Sequence, residues 1–102
     1  MANVTSYHIL VYGGPNGYQT NRAQIQLSDN NNVVAWVRFN DPGMTFENDY
    51  IDNDIIRMHL PTTMFENVLD ILRNEQPLHI YFAAGRAFFG TAGSETVGEG
   101  ES

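Results

Sequence analysis

The chain has 102 residues, 42 % of them hydrophobic and 12 % aromatic, the length and composition of one folded domain with a real core rather than of a disordered segment. It contains no cysteine and no lysine, and its basic residues are Arg22, Arg38, Arg57, Arg73 and Arg86, which excludes disulfides, thiolate metal sites, cysteine nucleophiles, Schiff-base lysines and the lysine-dependent phosphate loop. Twelve acids give a net charge of −7, which favours solubility and weighs against nucleic acid and anionic membranes as long-range partners.

The first apolar run is Tyr7-His8-Ile9-Leu10-Val11-Tyr12. It is too short for a membrane span or a signal-peptide core, and no basic stretch precedes it, so a cytoplasmic protein is expected. Gly13-Gly14-Pro15-Asn16-Gly17 supplies positive φ and one fixed φ, and predicts a wide hairpin turn. No helical pattern follows these glycines, which argues against an anion-binding loop. Arg22 to Leu27 then alternates polar and apolar residues, the period of a half-buried strand. The turn at Asp29-Asn30-Asn31-Asn32 leads into Val33 to Phe39, rich in β-branched and aromatic residues, and Asn40-Asp41-Pro42-Gly43 ends that strand.

Residues 44–54 read either as a loop or as an irregular edge strand. Ile55 to Leu60 is a fourth strand, stopped by Pro61. A helix is predicted within Thr62 to Asn74. Thr63-Met64-Phe65-Glu66 matches a capping box, and Phe65, Val68, Leu69 and Leu72 recur at the spacing of one helical face. Asp70 and Arg73 are positioned for a surface pair one turn apart. Leu78 to Ala83 is a fifth strand, and Ala84-Gly85 reads as a tight hairpin into Arg86 to Thr91.

The predicted order is β-β-β-β-α-β-β. That is an α+β fold in which a mostly antiparallel sheet is packed on one face by a single helix. Residues 1–92 form the domain, and residues 93–102, glycine- and glutamate-rich with one large apolar residue, are expected to be a flexible acidic tail. Strand alternation places Ile25, Leu27, Val37, Phe39, Met58 and Leu60 in the core with Phe65, Leu69, Leu72, Ile80 and Phe82.

The opposite phase of the strands collects Arg22, Trp36, Arg38, Arg57, His59, His79 and Tyr81, with Val34 and Ile55 beside them. Arginines ordinarily stand out of sheets and lie over apolar neighbours. Tryptophan, tyrosine and arginine together are also the residue types enriched at interface hot spots. Trp36, Arg38, Arg57, His59, His79 and Tyr81 are therefore the candidate binding residues.

Catalytic and metal signatures are weak. His59 and His79 fall on one predicted face, but no short ligand spacing ties them together, and ordinary sheet histidines explain them. Asp49, Asp52 and Asp54 with Glu47 offer oxygen ligands to a cation such as calcium. They lack the spacing and glycine of a calcium loop, so a solvated acidic loop is the plainer account. No serine stands in a nucleophile-elbow motif. No cofactor and no enzymatic activity are expected.

Two function classes follow. One is a small interaction module, self-associating as a homodimer through the open sheet face and binding a protein partner. In size and charge such a module resembles the acidic inhibitors and regulators of phages and mobile elements. The other rests on topology from Tyr7 to Asn74: four strands followed by a helix resembles the PC4 and Pur-alpha family, and that resemblance implies single-stranded nucleic-acid binding on a basic, aromatic sheet face. The shortage of basic residues sets the second reading behind the first.

Overall fold

The computed structural model describes residues 2–91 as eight strands, a short 3-10 turn and one helix. The strands are β1 (Ala2–Val4), β2 (Ser6–Val11), β3 (Ala23–Asp29), β4 (Asn32–Asn40), β5 (Tyr50–Asp52), β6 (Ile55–Pro61), β7 (Leu78–Ala83) and β8 (Arg86–Thr91). The 3-10 turn covers Thr62–Met64 and runs into α1 (Phe65–Asn74). The fold is α+β and mostly antiparallel, as the alternation predicts. The expected tail at residues 93–102 lies outside the described residues.

The strands divide between two sheets rather than forming one. The larger has the order β2-β3-β4-β6-β5 and the smaller β1-β7-β8. They share a core in which Ile25, Leu27, Val37, Phe39 and Ile80 are fully buried, with Val68 and Leu69 of α1 packed among them. The second sheet and the helix thus fill the inner face that a single helix cannot cover alone. Phe65 meets Phe39 edge-to-face at 5.0 Å. Leu60, Leu72 and Phe82 pack around this centre half-buried.

Four two-residue connections have positive φ at both positions: Gln19-Thr20 inside the Tyr18–Asn21 bridge, and Asn30-Asn31, Asn53-Asp54 and Ala84-Gly85 between strands. This is the backbone of the type I′ turn, whose twist matches that of an antiparallel pair. The expected Gly13–Gly17 reversal lies within the longer link from β2 to β3, pinned by the Tyr18–Asn21 bridge. A Cβ at Gly17, where φ is +59°, would overlap the Asn21 carbonyl, so that glycine is required.

Three local expectations need correction. β4 and β6 run parallel, joined by a crossover through residues 41–54 that carries β5 back along the sheet edge. This departs from the simple run of four strands and a helix on which the topological resemblance rested. The capping box does not form: Met64 is the N-cap of α1 with no side-chain bond, and the neighbouring hydroxyl of Thr62 donates to Asp41 Oδ1 at 2.7 Å instead. Asp70 and Arg73 form no ion pair within 4.0 Å among the described residues.

Two devices close the gap between the sheets. On one side β1 and β2 are a single course of chain bent at Thr5. Its N–H donates to the Ser28 carbonyl at 2.8 Å, and its hydroxyl accepts from Asn30 N–H at 2.9 Å. On the other side Asp49 joins β6 to β8, described below. No helix among the described residues is long and apolar enough to cross a membrane.

Candidate functional site

Among the described residues, no helix and no further strand lies on the outer face of the five-stranded sheet. Register builds it in rows. His8, Gln26, Trp36, Arg57 and Tyr50 lie side by side across β2, β3, β4, β6 and β5. The next row is Leu10, Gln24, Arg38 and His59. Directly opposed residues share a face at about 4.5–5.5 Å between Cβ atoms, so Trp36 and Tyr50 flank Arg57.

Polar contacts fix one end of this face. Arg38 Nε donates to Gln24 Oε1 at 3.2 Å, and Gln24 Nε2 donates to the Tyr12 hydroxyl at 2.5 Å. Arg22 is spent on the adjoining loops: its Nε donates to Asp41 Oδ2 and its Nη1 to the Tyr12 carbonyl, both at 2.7 Å. The Thr62 hydroxyl, and then Arg22, hold the Asp41 carboxyl below its ordinary pKa. Buried Asn40 anchors the same loop by donating to the Thr20 carbonyl at 2.6 Å and to Asn21 Oδ1 at 3.1 Å.

Arg57 stands apart from this network. Its Nε is buried with no hydrogen-bond partner, and among the described residues no carboxylate lies within 4.0 Å of its guanidinium. A buried donor without an acceptor costs roughly 1–3 kcal/mol, more when it is charged.

His59 shares the face but not its exposure, since its side chain is 1 % accessible. Tyr50 stacks on it with ring centroids 6.0 Å apart at 25°. Glu47 Oε2 lies 3.6 Å from Nε2 and Asp49 Oδ1 lies 3.6 Å from Nδ1, too far for either to count as a hydrogen bond. Both ring nitrogens are therefore unpartnered. Burial pushes the imidazole pKa down, the nearby Glu47 and Asp49 charges pull it back up, and Arg38 adds to the lowering; burial prevails. The Asp49 carboxylate serves backbone instead: Oδ1 accepts His59 N–H at 2.7 Å and Oδ2 accepts Ala87 N–H at 2.9 Å.

Of the predicted binding residues, Trp36, Arg38 and Arg57 come together, with His59 sealed beside them and Arg22 at the margin. His79 and Tyr81 lie in β7, on the outer face of the three-stranded sheet. There Tyr81 stacks on Phe88 at 5.0 Å and 9°, with its ring across Gly90, where a Cβ would come within 2.9 Å of the ring edge. His79 is buried and meets Tyr81 at 6.2 Å. His59 and His79 thus belong to different sheets, since β6 pairs with β4 and β5 while β7 pairs with β1 and β8. Val34 also leaves the expected face. It is the extra residue where the β3–β4 register shifts between Leu27 and Ser28, and it packs on the core.

Tyr50, Tyr12 and Gln24 are parts of the site that sequence reasoning missed. Tyr50-Ile51-Asp52 before Asn53-Asp54 was the available signal, a short strand entering a tight turn. The acidic residues do not converge: Asp49 turns in toward the backbone, Asp52 ends β5 and Asp54 sits in the β5–β6 turn. Among the described residues no group of three histidine or acidic side chains is arranged to hold a metal ion. No family model, no curated protein and no solved structure matches this chain.

Proposed function

We propose that this chain is a non-enzymatic binding module whose outer sheet face, centred on Trp36, Arg38 and Arg57, holds an acidic segment of a protein partner. The observation that carries the reading is Arg57: an unpaired guanidinium with a buried, unsatisfied Nε, set between Trp36 and Tyr50. The chain has twelve acids against five arginines, yet among the described residues no carboxylate is placed against it. An incoming carboxylate satisfies the planar guanidinium in a two-pronged bond, and the flanking rings supply apolar area. Arg38, already oriented by Gln24, adds a second positive charge in the neighbouring row.

Trp36 is the chain's single tryptophan and sits in the middle of the face, so its emission reports on occupancy. Titration with a glutamate-rich peptide is expected to shift Trp36 emission saturably, and Arg57→Ala to abolish the shift. A single-stranded oligonucleotide offers phosphates and stacking bases to the same groups. If it binds in a salt-sensitive manner while the peptide does not, the ligand class is nucleic acid. If neither ligand moves the emission, the face is not a binding site for anions.

A further inference from the structure

Among the described residues the five-stranded sheet has two unpaired edges, and they are built differently. β5 is three residues long and ends in Asp52. β2 is six residues long, Ser6-Tyr7-His8-Ile9-Leu10-Val11, with no acid, arginine or proline. On its inner side Tyr7 is 36 % exposed and Val11 66 %. Edge strands of monomers are usually blunted by charge, proline or shortness, because unpaired N–H and C=O groups recruit other strands. β8, the six-residue edge of the smaller sheet, follows that rule: it carries Arg86, and its Ala87 amide already donates to Asp49. β2 does not.

We propose that a second copy of this chain pairs with β2 along its open edge, antiparallel about a two-fold axis at Ile9, joining the two five-stranded sheets into one. Three observations fit this occupant. An antiparallel pair centred on Ile9 places Tyr7 of each copy beside Val11 of the other, so the most exposed apolar residues of the edge cover one another. Beside Val11 lies a groove of about 240 Å³ lined by Val11, Arg22, Ala23, Thr62, Phe65 and Glu66, which the Tyr7 ring of the second copy, paired with Val11, would cover. The edge is also neutral, so two chains of net charge −7 approach there with least repulsion. Face-to-face pairing would instead set Arg38 and Arg57 against their own copies. The edge pairing leaves both Arg57 faces open and side by side on one continuous surface, and it does not rest on what those faces bind.

Sedimentation equilibrium of the full chain tests this. The wild type is expected at twice the chain mass at micromolar concentration. Val11→Lys and Tyr7→Lys, both at exposed positions, are expected to weaken the dimer by at least about tenfold, while Trp36→Glu leaves it intact. Hydrogen exchange gives a second readout: the outward amides of β2 should exchange more slowly as concentration rises. A wild type at the chain mass overturns the proposal. So does a dimer that survives both lysine substitutions, or one that Trp36→Glu dissociates. The monomeric Val11→Lys chain still carries Trp36 and Arg57, so the peptide titration succeeds or fails on it independently.

Discussion

The Asp49 carboxylate accepts the Ala87 amide N–H at 2.9 Å while its other oxygen accepts the His59 amide at 2.7 Å, so one side chain ties the larger sheet to the smaller. Where a continuous barrel would have a ladder of backbone bonds between β6 and β8, this chain has a carboxylate. Both residues whose amides it serves are buried, at 5 % and 7 % exposure. Asp49→Ala should therefore cost roughly 1–3 kcal/mol for each amide left without an acceptor. Asp49→Asn keeps one acceptor oxygen and should lose less. Chemical denaturation measures both, and an Asp49→Ala midpoint equal to wild type would show that the bridge contributes nothing.

What was legible in the sequence was local. β7, the Ala84-Gly85 turn and β8 follow from alternation and turn chemistry over adjacent residues. The stripe Phe65, Val68, Leu69 and Leu72 fixed which side of α1 is buried. The division into two sheets was not legible, because the switch happens at Thr5 without a glycine or proline. The parallel pairing of β4 with β6 was equally hidden: such crossovers usually contain a helix, and residues 41–54 do not. Both features rest on contacts distant in sequence, Thr5 with Ser28 and Asp49 with Ala87. The site was half legible for the same reason. Alternation put Trp36, Arg38 and Arg57 on one face, but phase alone could not separate His79 and Tyr81 into another sheet.

Ala84 occupies a left-handed position, with φ at +55° ahead of Gly85 at +77°. For an alanine that conformation costs on the order of 1 kcal/mol, and asparagine tolerates it better. Ala84→Asn should raise the denaturation midpoint by up to that amount. Ala84 is exposed and belongs to the smaller sheet, outside the rows that carry Arg57, so peptide binding there should be unaffected. A lower midpoint would mean that the β7–β8 turn is not of this type.

Leu69 is 8 % exposed and belongs to the core shared by both sheets. Leu69→Ala should cost roughly 2–5 kcal/mol, the range for a truncated core leucine. Asp70→Ala, on the exposed side of the same helix and without an ion pair to lose, should stay within about 0.5 kcal/mol. Equal effects from the two substitutions would place the helix the other way round on the sheets.

His59 should make the fold sensitive to mild acid. Its imidazole is sealed among Tyr50, Glu47, Asp49 and Arg38, and burial lowers its pKa from the ordinary value of 6.5. The folded chain therefore keeps the ring neutral where the unfolded chain already binds a proton. Stability then rises with pH wherever the unfolded state holds more protons. The contribution is complete above about pH 7.5, where both states are neutral, and is lost as pH falls through 6.5 toward the lower folded value. Asp41 acts in a separate window: its carboxyl is depressed from 3.8, so its share is lost only as pH falls through that range. His59→Phe removes the titration, keeps a ring against Tyr50 and eliminates two unpartnered nitrogens. Denaturation at a series of pH values should show wild type losing stability relative to His59→Phe as pH falls from about 7.5 through 6.5 and below. His8 and His79 are present in both chains, so the difference isolates His59. Parallel pH profiles would mean that His59 protonates as freely in the folded chain as in the unfolded one.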